Sequence, residues 1–267
     1  MVMHSEPIAE GGAWLRDTDF GWKARLGLIT PSLGWTPEHE WPRMFPRGVS
    51  YLVSRMPLKA TTPEELLKMG EHALEAADLL ASASVDFICY GCTVETILKG
   101  MAYDKKLTDQ LKEATGISAK TMAGAVVEAL RAFDTQKLAM VTPYIHEINA
   151  REKTFMEGLG IEVVYESGLG ISDTIAIARV TPATVYQLGL DAMAKAPDAD
   201  ALLISCGNLR TIEVLAALER DTGKPVISSN QAMLWSALQA VGVDEPIQGF
   251  GSLLEGRATH DKKGAKL

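Results

Sequence analysis

Asp86-Phe-Ile-Cys-Tyr-Gly-Cys92 decides the fold when set beside Asp200-Ala-Leu-Leu-Ile-Ser-Cys206. Each stretch opens on an aspartate, runs through a few apolar residues and closes on a cysteine. Short apolar runs of this kind are buried strands. The two closing cysteines are 114 residues apart (92 to 206). Working outward, Arg25-Leu-Gly-Leu-Ile-Thr-Pro31 is matched by Lys137-Leu-Ala-Met-Val-Thr-Pro143, with the threonines 112 apart (30 to 142). Thr115-Gly116 is matched by Thr222-Gly223, 107 apart (115 to 222). Three landmarks in the same order at nearly the same offset mark an internal duplication. Generic strand–helix alternation accounts for the matched hydrophobic residues, but not for the shared Thr-Pro and Cys positions.

Between these landmarks short apolar strands alternate with amphipathic helices. The strands are expected at Leu26–Thr30, Val49–Ser54, Val85–Cys89, Lys137–Thr142, Glu162–Tyr165, Ala201–Ser205 and Pro225–Ser228. A helix is expected over Thr62–Ser84, which opens with Thr-Pro-Glu-Glu and continues with Leu66, Leu67, Met69, Leu74, Leu79 and Leu80 at helical spacing. The alternation predicts an α/β fold of parallel sheets wrapped by helices. Duplication predicts two similar parallel-sheet lobes about a pseudo-twofold axis, with an active site in the interlobe cleft where the strand C-termini meet. The expected division is an N-terminal arm at 1–22, a first lobe at 23–120 plus 229–257, a second lobe at 121–228 and a flexible tail at 258–267.

With 47% hydrophobic and 22% charged residues, the 267-residue chain can build a substantial core. Its formal net charge of −8 excludes nucleic acid and anionic membranes as natural partners. No apolar run approaches the ~20 residues of a membrane span. The N-terminal stretch, carrying His4, Glu6 and Glu10, lacks the basic and apolar regions of a secretion signal. Three cysteines without an export signal predict reduced thiols and a cytoplasmic protein.

Cys92 and Cys206 both fall in strand-to-helix turns, with helices expected to open at Thr93 and near Arg210. Free N–H groups at a helix N-terminus lower a thiol pKa and bind a carboxylate. Two such turns facing each other place one thiol on each side of a planar carbanion or alkene. Proton removal next to a carboxylate leaves enediolate-like charge, which N–H and O–H donors stabilise. One thiolate takes the proton and the other thiol returns it; alternatively, one thiolate adds to a double bond. Cys89, inside an apolar strand, reads as a core residue. That placement also argues against redox chemistry for Cys89-Tyr-Gly-Cys92, and no His or carboxylate set has zinc spacing.

At these residues the sequence resembles the aspartate/glutamate racemase superfamily, in the branch of maleate cis–trans isomerases and arylmalonate decarboxylases. Ectoine-utilisation members of that branch are similar too. The resemblance runs from about Leu26 to Gly256. It is carried by Gly-Leu-Ile-Thr-Pro-Ser (27–32), Tyr-Gly-Cys-Thr (90–93), Val-Thr-Pro-Tyr (141–144), Leu-Gly-Ile (169–171), Leu-Ile-Ser-Cys-Gly (203–207) and Ser-Ser-Asn-Gln-Ala (228–232). It implies Cys92 and Cys206 as the catalytic pair, and Thr93, Tyr144 and the Gly207 backbone as holders of a substrate carboxylate. It also implies no metal, no PLP, no nucleotide and so no cofactor, and a homo-oligomer. The isomerases place an Asn in the first loop, where this chain has Gly34, and a Ser after Cys-Thr, where it has Val94. Both changes weaken the case for maleate. The decarboxylases share the Gly34-type loop but carry a Gly at the place of Cys92. Two retained cysteines favour a cofactor-independent racemase or cis–trans isomerase of a small carboxylic acid. The alternatives are an arylmalonate-type decarboxylase protonating through Cys206, and a non-catalytic carboxylate-binding protein.

Ser32 and Gly34 are placed by the same loop as substrate-binding positions, with Trp35 packing an apolar part of the substrate or lying at a subunit contact. Asn230 is expected to cap a helix. Arg210 is expected to pair with Glu213, the alternative being an anion at the cleft. His39, His72 and His146 read as helix or surface residues rather than catalytic bases.

Overall fold

The computed structural model describes residues 20–258. The expected arm at 1–22 lies outside the described residues except for its last three, and the expected tail is outside except for Ala258.

Eight strands form two four-stranded, all-parallel sheets. The first contains β1 (Ala24–Pro31), β2 (Val49–Met56), β3 (Phe87–Tyr90) and β4 (Ala119–Thr121), in the order β2-β1-β3-β4. The second contains β5 (Lys137–Thr142), β6 (Glu162–Gly168), β7 (Ala201–Ile204) and β8 (Val226–Ser228), in the order β6-β5-β7-β8. The two orders are the same when β1 is laid on β5, so the duplication read from sequence is a duplication of topology. Its landmarks have matching tasks. The Asp86 carboxylate accepts from Arg25 N–H at 2.6 Å, and Asp200 accepts from Lys137 N–H at 2.8 Å, each tying the entry of one central strand to its neighbour. Thr115 and Thr222 each donate to the carbonyl four residues back, at 2.7 Å, just before a left-handed glycine, Gly116 or Gly223, ends the helix.

Eleven α-helices cover the sheets among the described residues. In chain order they are α1 (Thr36–Met44), α2 (Pro63–Met69), α3 (Ala73–Ser82), α4 (Thr93–Lys99), α5 (Met101–Thr115), α6 (Met122–Ala132), α7 (His146–Glu157), α8 (Thr174–Ala178), α9 (Pro182–Lys195), α10 (Leu215–Thr222) and α11 (Ser229–Ala240). None is long and apolar enough to cross a membrane. The segment expected as one helix over Thr62–Ser84 is divided: α2, a 3-10 turn at Gly70–His72, then α3. Leu66, Met69 and Leu80 are buried, whereas Leu67, Leu74 and Leu79 are exposed. β4, three residues of mixed polarity, carries no sequence signal.

The sheets are joined by α6 and α11, which follow β4 and β8 and pack on each other. Each is capped at its N-terminus, by Thr121 and Ser228 respectively, whose hydroxyls accept N–H groups of the first turn. α11 is buried from Ser229 to Leu238, as expected of a helix enclosed on all sides. Full burial of an apolar side chain such as Leu28 or Leu203 contributes about 1.5–3 kcal/mol each. Strand C-termini of both sheets therefore point toward the seam between them.

Candidate active site

β3 ends at Tyr90, and Gly91 and Cys92 follow before α4 begins. A side chain at Gly91 would sit 2.7 Å from the Ile29 carbonyl, so only glycine lets this turn close against β1. Cys92 is the N-cap residue of α4, as expected. Cys206 follows β7 but does not open a helix. Residues 206–214 form turns and α10 starts only at Leu215, so a helix opening near Arg210 does not form. Cys206 instead has φ of +128°, a conformation rare outside glycine. That bend aims the following N–H groups back at sulfur, the Asn208 N–H lying 3.3 Å from it. The donors come from a curled loop rather than a helix end.

Both thiols line one small cavity at the seam. Gly34, Thr93, Tyr144 and Gly207 line it too. Pro31, Pro37, Leu58, Leu66, Val94 and Ile177 make most of the remaining wall apolar, with Thr30, Thr61, Thr174 and Asn208 as its polar part. Ser32 does not line it. Its hydroxyl is exchanged with the Leu58 backbone, accepting N–H at 2.9 Å and donating to the carbonyl at 3.3 Å, which fixes the first loop against the strand beside it. Thr30 takes the lining position instead. Its hydroxyl and that of Thr93 are buried without a hydrogen-bond partner. Buried hydroxyls are normally satisfied, and two orphaned donors aimed into one cavity fit a bound anion. A Cβ on Gly34 would come within 2.9 Å of the Thr30 hydroxyl, so glycine there leaves that hydroxyl free. Its repeat partner Thr142 is spent on structure, donating to Asn149 and accepting the Tyr144 N–H at 3.0 Å.

Burial governs the titration of both thiols. It pushes Cys92 up to about 12; the Glu95 charge adds to this, and the Glu95 and Val94 N–H groups oppose it. It pushes Cys206 up to about 11, where the Tyr144 hydroxyl and the Asn208 and Leu209 N–H groups pull down and Glu152 pushes up. The expected lowering by a helix N-terminus is present in direction, but desolvation outweighs it. Cys89 is fully buried and raised by desolvation alone, as a core thiol should be.

Asn208 ties the two halves together. Its side-chain oxygen accepts from Trp35 N–H at 2.8 Å and Thr36 N–H at 3.2 Å, and its amide donates to the Thr174 carbonyl at 2.8 Å. Its own carbonyl accepts the Thr36 hydroxyl at 2.7 Å. Nearby, the Thr61 and Thr174 hydroxyls pair at 2.6 Å. A second tie is Glu40 of α1, fully buried, which accepts from Thr211 N–H at 2.6 Å, Ile212 N–H at 3.2 Å and the Asn230 amide at 2.7 Å. Burial outweighs these donors and raises Glu40 to about 7. Asn230 thus bridges Glu40 and the Gly207 carbonyl (2.9 Å) rather than capping α11, a task done by Ser228 with Gln231 in a capping box.

Trp35 is 46% exposed and lies outside the cavity, in a shallow groove with His39, Arg179 and Arg210. The Arg179 guanidinium lies over its ring at 5.8 Å. Arg210 pairs with Glu213 at 2.9 Å, as expected. His39 and His146 are exposed. Among the described residues no group of three or more His, Cys, Asp or Glu side chains could hold a metal ion.

Two thiols in a small, largely apolar cavity between duplicated parallel-sheet lobes place the chain in the aspartate/glutamate racemase-like superfamily. Within it, the chain belongs to the arylmalonate decarboxylase family, whose model matches residues 26–254. It is 31% identical over 231 residues to the arylmalonate decarboxylase of Bordetella bronchiseptica, covering 86% of this chain and 96% of that one. It is also 31% identical over 245 residues to the maleate isomerase of Pseudomonas putida, covering 87% and 97%. Among solved structures, maleate isomerase from Pseudomonas putida S16 with maleate superposes with a TM-score of 0.84 at 30% identity, over 88% of this chain and 99% of that one. A cysteine mutant of the Nocardia farcinica maleate cis-trans isomerase with a covalently bound succinylcysteine intermediate superposes with a TM-score of 0.80 at 27% identity, over 87% and 98%.

Proposed function

We propose that this chain is a cofactor-independent isomerase, a racemase or cis–trans isomerase, acting on a small carboxylic acid with Cys92 and Cys206 on either side of the substrate. The observation that carries this reading is the meeting of both thiols in one cavity that also presents two unpartnered hydroxyls, Thr30 and Thr93. The substrate carboxylate accepts from Thr93, from Tyr144 and from the Gly207 backbone, with Gly34 keeping the floor low. Racemisation then needs one cysteine as thiolate. It removes the α-proton, the C–H electron pair moves onto the carboxylate as an enediolate, and the opposite thiol delivers its own proton to the other face. The two sulfurs have exchanged protonation states, ready for the reverse direction. For a cis–trans substrate, one thiolate adds to the double bond, the new single bond rotates, and the thiolate leaves again. The succinylcysteine of the Nocardia relative supports the second route. Decarboxylation is the runner-up. There the carbon–carboxylate bond supplies the electron pair, carbon dioxide leaves, and Cys206 protonates the enediolate; the decarboxylase relative supports this.

Incubation in deuterium oxide with candidate acids tests the reading. Isomerisation with deuterium gained at the substrate's α-carbon (for an addition route, isomerisation with cysteine adducts trapped) supports it. Stoichiometric carbon dioxide release transfers the assignment to the decarboxylase. No turnover together with ligand binding leaves a carboxylate-binding protein. The same reading divides the chain into lobes at 23–120 plus 229–257 and at 121–228, and makes it a cytoplasmic homo-oligomer. The exposed leucines 67, 74 and 79 on α2 and α3 support a subunit contact. A monomeric mass by light scattering would sink that part.

A further inference from the structure

Glu152 lies on the buried face of α7, the helix that follows Tyr144, and is fully enclosed. The one donor that faces its carboxyl group is the Ser205 hydroxyl, too loosely placed for a well-formed hydrogen bond but close enough to favour the charged form. The groups around it are neutral or acidic. They are Ser205 after β7, Glu166 on β6, and the Tyr144 and Cys206 pair at the cavity. Packed against α7, helix α4 brings Glu95, whose charge is already met by Lys99 at 2.7 Å and by the Tyr90 and Tyr103 hydroxyls at 2.6 and 2.7 Å. Of the basic residues of α7 itself, His146 is exposed, and Arg151 and Lys153 pair with Glu147 and Glu157. A carboxylate with a single loosely placed hydroxyl and no cation does not hold its charge readily in such surroundings. Desolvation raises Glu152 to about 7, the Ser205 hydroxyl opposing it and the Glu166 charge adding to it.

The two cysteines therefore stand on different foundations. Behind Cys92 is a carboxylate fixed in an ion pair. Behind Cys206 is a carboxyl group free to gain or lose a proton, close enough for its charge to oppose charge on sulfur. We propose that Glu152 is a positioning residue for Cys206: this side of the cavity holds one negative charge, on the sulfur or on Glu152, and Cys206 ionises freely only while Glu152 keeps its proton. The coupling runs both ways, because the two groups titrate as a pair. A thiolate formed at Cys206 during turnover, held by the Asn208 and Leu209 N–H groups, in turn keeps Glu152 neutral. As pH rises past neutrality, Glu152 ionises and the gain in sulfur reactivity stalls. This inference rests on the reading of Cys206 as a working thiol, but its test needs no turnover.

The full chain is alkylated with iodoacetamide between about pH 5 and pH 9, and the Cys206 peptide is followed by mass spectrometry. The wild-type rate should rise with pH, flatten near neutrality, then rise again. Glu152→Gln keeps the shape and removes the charge. Its rate should match wild type below about pH 6 and exceed it roughly tenfold above about pH 8, the effect of a one-unit change in thiol pKa. A constant ratio across the range would mean that Glu152 only packs, and would overturn the proposal. Glu166→Gln gives an independent reading at a half-buried site, useful if Glu152→Gln does not fold. Removing the Glu166 charge should move the flattening to lower pH. An inflection that stays in place, or a wild-type profile with no inflection, overturns the proposal as well. Loss of the isomerase reading would leave all three profiles unchanged, so the two failures are separable.

Discussion

Asn208→Ala should loosen the seam on which the cavity depends. The substitution deletes three well-formed side-chain hydrogen bonds, at 2.8, 3.2 and 2.8 Å, to Trp35, Thr36 and Thr174. It leaves Asn208's backbone contacts in place, including its N–H to the Cys206 sulfur. The stranded groups differ in cost. The Trp35 amide, near an exposed side chain, can be rehydrated. Thr36 and Thr174 are buried, and an unsatisfied buried amide or carbonyl costs about 1–3 kcal/mol each. The sum is about 2–6 kcal/mol, which for a domain of this size lowers Tm by on the order of 10 °C. Urea denaturation followed by tryptophan fluorescence reads this directly. Asn208→Asp is the informative companion. It still accepts from the Trp35 and Thr36 N–H groups at the start of α1, where negative charge is favourable, but it loses the donor to Thr174. It should lose less than Asn208→Ala. A loss below about 1 kcal/mol in Asn208→Ala, or a larger loss in Asn208→Asp, would refute the idea that this side chain couples the two halves.

The remaining predictions concern the cavity and pH. Cys92→Ser and Cys206→Ser should each lower isomerase turnover at least about 100-fold while leaving the fold intact by circular dichroism, since serine cannot supply a thiolate. Tyr144→Phe removes the hydroxyl donated to Cys206 and should raise that thiol's pKa, slowing its alkylation roughly tenfold at neutral pH; an unchanged rate would deny the contact. Thr30→Val and Thr93→Val remove hydroxyls that bond to nothing in the protein, so stability should hold within about 1 kcal/mol while KM rises; a large stability loss with unchanged KM would place those hydroxyls in the structure and not the site. Glu40 and Glu152 both have folded-state values of about 7 against an ordinary 4.5. The folded chain therefore binds these protons more tightly than the unfolded chain. The stability they contribute is complete below about pH 4.5 and is lost as pH rises through about 7, on the order of a few kcal/mol in all. A urea midpoint that stays flat or climbs over that window would contradict their burial as neutral acids.

Much of the architecture was legible from the chain alone, for a local reason. Buried parallel strands need apolar runs, and the segments that supply them, such as Leu26–Thr30 and Lys137–Thr142, are where β1 and β5 form. The duplicated Asp, Thr-Pro, Cys and Thr-Gly positions mark the same places in both halves because the same turn has to be made twice. Tyr144 and both thiols were legible because they follow strand ends. β4 was not, since Ala119–Thr121 is too short and too polar to announce itself and is a strand only because Tyr90 and its neighbours pair with it. The exposure of Leu67, Leu74 and Leu79 was likewise hidden, because spacing shows that a face is apolar and not what lies against it.

By itself, then, the sequence determined the α/β class, the duplication and the presence of two thiols in equivalent turns. Tertiary structure alone decided which polar groups those turns would meet. Thr30 and Thr142 are the same residue in the same repeat position, yet one is left free in the cavity and the other is bound to Asn149. Glu40 and Glu152 look in sequence like ordinary helix-surface acids. They are buried because the loop around Thr211, 171 residues away, closes over one, and β6 and Ser205 enclose the other. Patterning is a property of neighbours along the chain, whereas desolvation and charge coupling depend on neighbours in space.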